Sequence, residues 1–143
     1  MNELDLATAR AVLDATLAEG RKLGLKPLSV VVLDSRGALA AAASEDGVSL
    51  MRWKIAMGKA QAALALGLGS RAAGVMAVDR PHFTGAVAAM APDGFVPVAG
   101  GVLIRDAGRR VIGAVGVSGD ASDNDEAAAV AGIVAAGLVA DAG

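Results

Sequence analysis

Two tetrapeptides, Asp34-Ser35-Arg36-Gly37 and Asp106-Ala107-Gly108-Arg109, limit most strongly what this chain can fold into. Each is a polar, glycine-bearing turn signal between apolar runs: residues 28–33 and 39–43 around the first, 102–105 and 111–117 around the second. A connection this short joins only antiparallel strands, because a parallel return needs a crossover of roughly a dozen residues or more. The sheet is therefore expected to be mainly antiparallel. Alanine is a weak strand former, so the 39–43 return is the poorest of these runs.

Helical patterns surround the strands. Ala9, Val12, Leu13, Thr16, Leu17 and Leu23 recur at helical spacing over 6–23, with Asp5 as N-cap and Gly24 as stop. Pro27 closes the connection to the first strand, and Glu45-Asp46-Gly47 ends the first hairpin. Ser49 is positioned to cap a helix over 50–66 whose apolar stripe is Trp53, Met57, Ala60 and Leu64, with Arg52, Lys54 and Lys59 as its charge. Ser70 caps a shorter helix to about 78. A linker over 79–83 follows, then at most a turn or two of helix over 86–91. Residues 95–98 and 102–105 read as strands flanking Gly100-Gly101. Asp123 and Glu126 have capping-box spacing before a last helix over 126–139, whose Ala, Val, Ile and Gly predict burial on most sides, as against a partner chain. The order is α-β-β-α-α-β-β-β-α. This is an α+β class with one layer of about five mainly antiparallel strands covered by helices, as a single domain over residues 1–143.

Composition removes whole classes of function. With one Trp, two Phe and no Tyr, and 13 Lys+Arg against 15 Asp+Glu, the chain has neither stacking platforms nor a basic face for nucleic acid. The absence of Cys excludes disulfide frameworks, Fe–S clusters, cysteine zinc sites and thiol nucleophiles, and a single His excludes a site with two histidine ligands from one chain. Apolar runs are broken by Gly or charge well short of the ~20 residues of a membrane span. The start Met1-Asn2-Glu3-Leu4-Asp5 lacks the basic opening of a signal peptide, so a cytoplasmic protein away from membranes is expected.

Several groups are candidates for chemistry. Gly100-Gly101 and the series Gly113, Gly116 and Gly119 fit close approach to a ligand or tight packing of small elements; their spacing is that of neither a dinucleotide fingerprint nor a P-loop. His82, beside Pro81 and Phe83, is the one imidazole available as metal ligand or base. Asp120, Asp123 and Asp125 could supply oxygens to a cation or simply complement a helix start; they do not have EF-hand spacing. Lys59 among Ala and Met could reach an anion or snorkel, and Arg105 could hold a carboxylate or pair locally. Trp53 is a further candidate ligand contact. Ser118 is not set in a nucleophile elbow.

Four stretches together resemble the GlcG/HbpS family, whose members are also similar to the C-terminal domain of PduO-type proteins. They are Leu6, Ala7 and Ala9 with Gly24-Leu25; Val30-Val31-Val32-Leu33-Asp34 with Gly37; Ile55-Ala56, Lys59-Ala60 and Ala63; and Gly100-Gly101-Val102, Ile104-Arg105-Asp106 and Val111 to Gly119 with Asp125-Glu126. The resemblance implies a five-stranded antiparallel sheet between helices and self-association into dimers or larger rings. It also implies small-ligand binding, with haem or a related tetrapyrrole as cofactor in some members. Shared residues map to Lys59, Gly100, Gly101, Ser118, Gly119, Asp125 and Glu126. The chain departs from the family pattern with Leu103 in place of a common Pro, and with Asp120 after Gly119 in place of a second Gly.

The leading expectation is thus a homo-oligomeric haem or tetrapyrrole binder with His82 on the iron. The alternative is an isomerase- or lyase-type enzyme with an interface pocket. In it Lys59 or Arg105 would bind a carboxylate and His82 or Glu126 would move a proton, while Gly100, Gly101, Ser118 and Gly119 shape the pocket. A third reading is a structural assembly domain.

Overall fold

A computed structural model describes residues 3–143. Helix α1 (Leu6–Lys22) leads into strands β1 (Ser29–Asp34) and β2 (Leu39–Ser44), then helices α2 (Arg52–Leu66), α3 (Ser70–Asp79) and α4 (Pro81–Met90). Strands β3 (Gly101–Arg105) and β4 (Val111–Ser118), helix α5 (Ser122–Ala135) and strand β5 (Val139–Asp141) complete the chain. The strands form one sheet in the order β2-β1-β4-β3-β5, every pairing antiparallel. The expected α+β layer of five strands is present, and both turn signals join antiparallel neighbours.

Each face of the sheet has its own core. Val30, Val32, Val102, Ile104, Val115 and Val117 pack beneath α1 and α5, while Val31, Leu33, Leu103 and Ala114 pack against Ala56, Ala60 and Ala63 of α2. This alternation is the period-2 pattern of a strand buried on both sides. β2, at the sheet edge, is only partly covered, which is why its alanines suffice.

Some elements sit elsewhere than the sequence pattern suggests. Residues 95–98 are not a strand: Pro97 has no N–H for a ladder, and Val98 N–H turns back to the Val96 carbonyl. The fifth strand is β5, because the last helix stops at Ala135 and Gly137, at φ 82°, turns the chain back onto β3. Of the linker and short turn expected over 79–91, Asp79 ends α3 and Pro81–Met90 form a helix, α4, with Pro81 at its start. The buried face of α2 is Ala56, Ala60 and Ala63 rather than a stripe through Trp53, since only small residues let this helix settle on Gly116 of β4. None of the three expected side-chain caps at Ser49, Ser70 and Asp123 forms, the N-caps being Met51, Gly69 and Ala121; Asp5 does cap α1, accepting from Thr8 N–H at 2.7 Å.

Among the described residues no single helix is long and apolar enough to cross a membrane; α2 and α3 pass only jointly, and they meet at 78°.

Candidate functional site

The small face of α2 dictates the local geometry. Because Ala56 and Ala60 bring the helix backbone down onto Gly116, Lys59 is carried to the end of the sheet, where its side chain passes Gly100. Its Nζ donates to the Val117 carbonyl at 2.9 Å and to Asp125 Oδ2 at 3.1 Å. Lys59 is 2% exposed and Asp125 1%. Burial pushes the Lys59 ammonium down from its ordinary pKa, with Arg52 adding to the shift and Asp125 opposing it. Burial pushes the Asp125 carboxyl up, against the Asp120 N–H and Lys59, which favour its charged form. Gly100, at φ 126°, and Gly101 are explained by the same close approach. A Cβ at Gly100 would lie 2.8 Å from Lys59 Nζ, and one at Gly101 would run into the Lys59 carbonyl.

At the same end of the sheet, Ser29 stands opposite Ser44 on one side and Ser118 on the other. Residues directly opposite share a face, so three hydroxyls line up across β2, β1 and β4 beneath the start of α2. Ser29 and Ser44 share a hydrogen bond of 2.7 Å, and Arg52 Nη1 donates to Ser118 Oγ at 3.3 Å.

Beyond this row, β2 and α2 diverge. They leave a crevice of about 270 Å³ walled by Val31, Leu39, Ala42, Ser44, Trp53 and Met57. A second hollow, of about 340 Å³, shares Trp53 and Met57 and adds Lys54, Asp93 and Gly94. Trp53 is 47% exposed between them, with Lys54 Nζ 5.6 Å from its ring centroid. The crevice is predominantly apolar, as small-molecule sites generally are.

The remaining sequence candidates disperse. His82 is exposed in the first turn of α4 and lines neither hollow. Glu126 and Asp123 are held by Arg71, whose guanidinium they push further up in pKa. Arg105 pairs with Asp141 of β5 at 2.9 Å and with the Arg109 carbonyl. The cation site considered for Asp120, Asp123 and Asp125 is not assembled. Asp120 accepts from Asn124, Lys26 N–H and Ala121 N–H, Asp123 from Arg71, and Asp125 from Lys59, and no metal-holding cluster occurs among the described residues. Lys59, Gly100, Gly101, Asp125, Ser118 and Gly119 do gather at one end of the sheet, whereas Lys59, His82 and Glu126 make no shared contact. Leu39, Ala42 and Arg52 were not singled out from the sequence as ligand contacts. The i, i+4 pair Trp53 and Met57 was the one available signal, since both project from the same side of α2.

The family model described as haem-degrading, HbpS-like proteins matches residues 4–134. No curated protein matches the sequence. Among solved structures, HbpS superposes with a TM-score of 0.81 at 24% identity, covering 94% of this chain and 90% of that one. A complex titled PduOC:Heme superposes at 0.83 with 19% identity, covering 96% and 97%. Klebsiella pneumoniae protein ORFY superposes at 0.82 with 21% identity, covering 96% and 93%. At these identities the likeness shows the fold.

Proposed function

Since this chain belongs to the family of haem-degrading, HbpS-like proteins, we propose that it is a small-ligand-binding protein holding haem or a related tetrapyrrole in the crevice between β2 and α2. The observation that carries this reading is the meeting of two apolar hollows across Trp53 and Met57. One falls just below and the other just inside the ~300–1,000 Å³ expected of ligand pockets, and because they share Trp53 and Met57 they adjoin.

The residues present fit such a group in their chemistry. Val31, Leu39 and Ala42 present apolar surface, Trp53 a ring face, and Met57 a thioether, a ligand type used on haem iron. The cation Lys54 at the second hollow suits an acidic substituent at the ligand's rim. When bound, haem supplies iron-centred chemistry; the chain's own part is to bind the macrocycle, orient it and shield one face from water. Self-association belongs to the same reading. β2 is an edge strand, and Leu39 at its start, with Leu50 and Met51 before α2, leaves exposed apolar surface for a second copy to cover.

Titration of the purified protein with hemin, followed by Soret absorbance and by quenching of Trp53, tests the assignment. A saturable band is expected, shifted and weakened in Met57→Leu and unchanged in His82→Ala. Loss of the band in His82→Ala with Met57→Leu unaffected would move the site to α4, and no saturable band would end the haem reading.

A further inference from the structure

Arg52 is the first residue of α2 and is only partly exposed, yet no ion pair among the described residues engages it. Its side chain donates instead to the neutral Ser118 hydroxyl, at 3.3 Å. A guanidinium has five donors, and the Ser118 hydroxyl takes one of them. It lines a cleft of about 220 Å³ together with Lys26, Pro27, Gly47, Ser49 and Gly119, on the far side of the serine row from Trp53.

The charges around this cleft do not balance. Its lining carries two cations, Lys26 and Arg52, and no carboxylate; behind it stand Asp120, bonded to Lys26 N–H, and Asp125, bonded to Lys59. Both carboxylates are spoken for. Asp125 accepts from Lys59 and from Asp120 N–H, and Asp120 accepts from Lys26 N–H, Ala121 N–H and Asn124 Nδ2. Neither pairs with Arg52. The positive end of α2, without a side-chain cap, points at the same corner and adds to the field.

We propose that this cleft binds a small organic carboxylate, with Arg52 as its bidentate partner and Lys26 and Ser49 as flanking contacts. A planar guanidinium fork matches a carboxylate, and the cleft has room for a molecule of a few heavy atoms. The site is separate from the apolar crevice and does not rest on the haem reading: it would stand if hemin failed to bind.

The test is titration of the unmodified protein with malonate at constant ionic strength. The readouts are amide chemical shifts over residues 47–54 and at Gly119, and Trp53 emission. A saturable response confined to this corner is expected. Arg52→Gln should weaken it by at least about tenfold, the scale of one or two lost charge-assisted hydrogen bonds, and Lys26→Gln by less. Lys54→Gln, on the other side of Trp53, should leave it unchanged. Circular dichroism checks the fold of Arg52→Gln, and Arg52→Lys, which keeps the charge but loses the fork, should also bind more weakly. An identical malonate curve in folded Arg52→Gln, or an equal response to chloride, would overturn the site. Inorganic phosphate binding as tightly as malonate would overturn the carboxylate assignment.

Discussion

Lys59 Nζ lies 3.1 Å from Asp125 Oδ2, and through that bond the helix on one face of the sheet holds the start of the helix on the other. Neither side chain reaches solvent. Each ion also has a second partner, the Val117 carbonyl for the ammonium and the Asp120 N–H for the carboxylate. Such a pair does little better than apolar groups of the same shape, but a half of it is costly.

Lys59→Met should therefore destabilise the protein by about 3–5 kcal/mol, and Lys59→Met/Asp125→Asn should recover much of the loss. The single variant also has a pH signature. Its Asp125, buried with no cation, has a folded pKa still further above the ordinary 3.8, so the folded state takes up protons as pH falls. The penalty should be smallest below about pH 4 and grow as pH rises toward that raised pKa. Denaturant melts from pH 3 to 8 would show it, and a pH-independent penalty would mean the carboxylate is not what is left unpaired.

Gly116 and Gly85 should respond in opposite ways to the same substitution. A Cβ on Gly116 would run into the Ala56 carbonyl, a backbone group that cannot swing aside, whereas one on Gly85, in exposed α4, meets nothing within 4 Å. Gly116→Ala is expected to cost roughly 3 kcal/mol or more by forcing α2 off the sheet. Gly85→Ala should gain about 0.5–1 kcal/mol from helix propensity. Chemical denaturation of the two variants checks both signs.

Asp120 is held at a pKa of about 2, chiefly by the Asn124 side chain and then by Lys26 N–H and Ala121 N–H. With an ordinary value of 3.8, its contribution to stability is complete above about pH 4 and is lost as pH falls toward 2. Asp120→Asn should lower stability at neutral pH and flatten the acid limb in that window. In Asn124→Ala, carboxyl NMR titration should find Asp120 moved up toward its ordinary value. An unmoved Asp120 would show that the backbone donors alone hold it.

These contrasts show what the one-dimensional pattern carried. The turns at Asp34–Gly37 and Asp106–Arg109 carried the antiparallel sheet, because tight connections leave no other pairing. The tail is ambiguous in sequence because Ala, Val and Gly satisfy helix and edge strand alike; Gly137, turning at φ 82°, separates α5 from β5. At the candidate site, Lys59 and Asp125 are 66 residues apart, and nothing in their spacing says that they meet. Arg52 was legible as a charge on a helix but not as an unpaired one, since pairing depends on which acids the fold has already engaged. Met57 and Trp53 show a shared helix side, whereas the crevice also needs Leu39 and Ala42 from a strand that looked weak on its own.

Ala42 offers a test of the crevice that removes no ligand group. It is exposed on the edge strand β2 and forms part of the wall opposite Trp53 and Met57, so a larger side chain there fills the slot without entering either core. Ala42→Phe should leave the melting temperature within a few degrees of the parent, since exposed substitutions usually stay within about 0.5 kcal/mol. It should weaken hemin binding by about tenfold or more through steric exclusion while leaving the malonate response at Arg52 intact. If hemin binds Ala42→Phe as it binds the parent, the tetrapyrrole does not lie between β2 and α2. If malonate is lost along with hemin, the two hollows are parts of a single site.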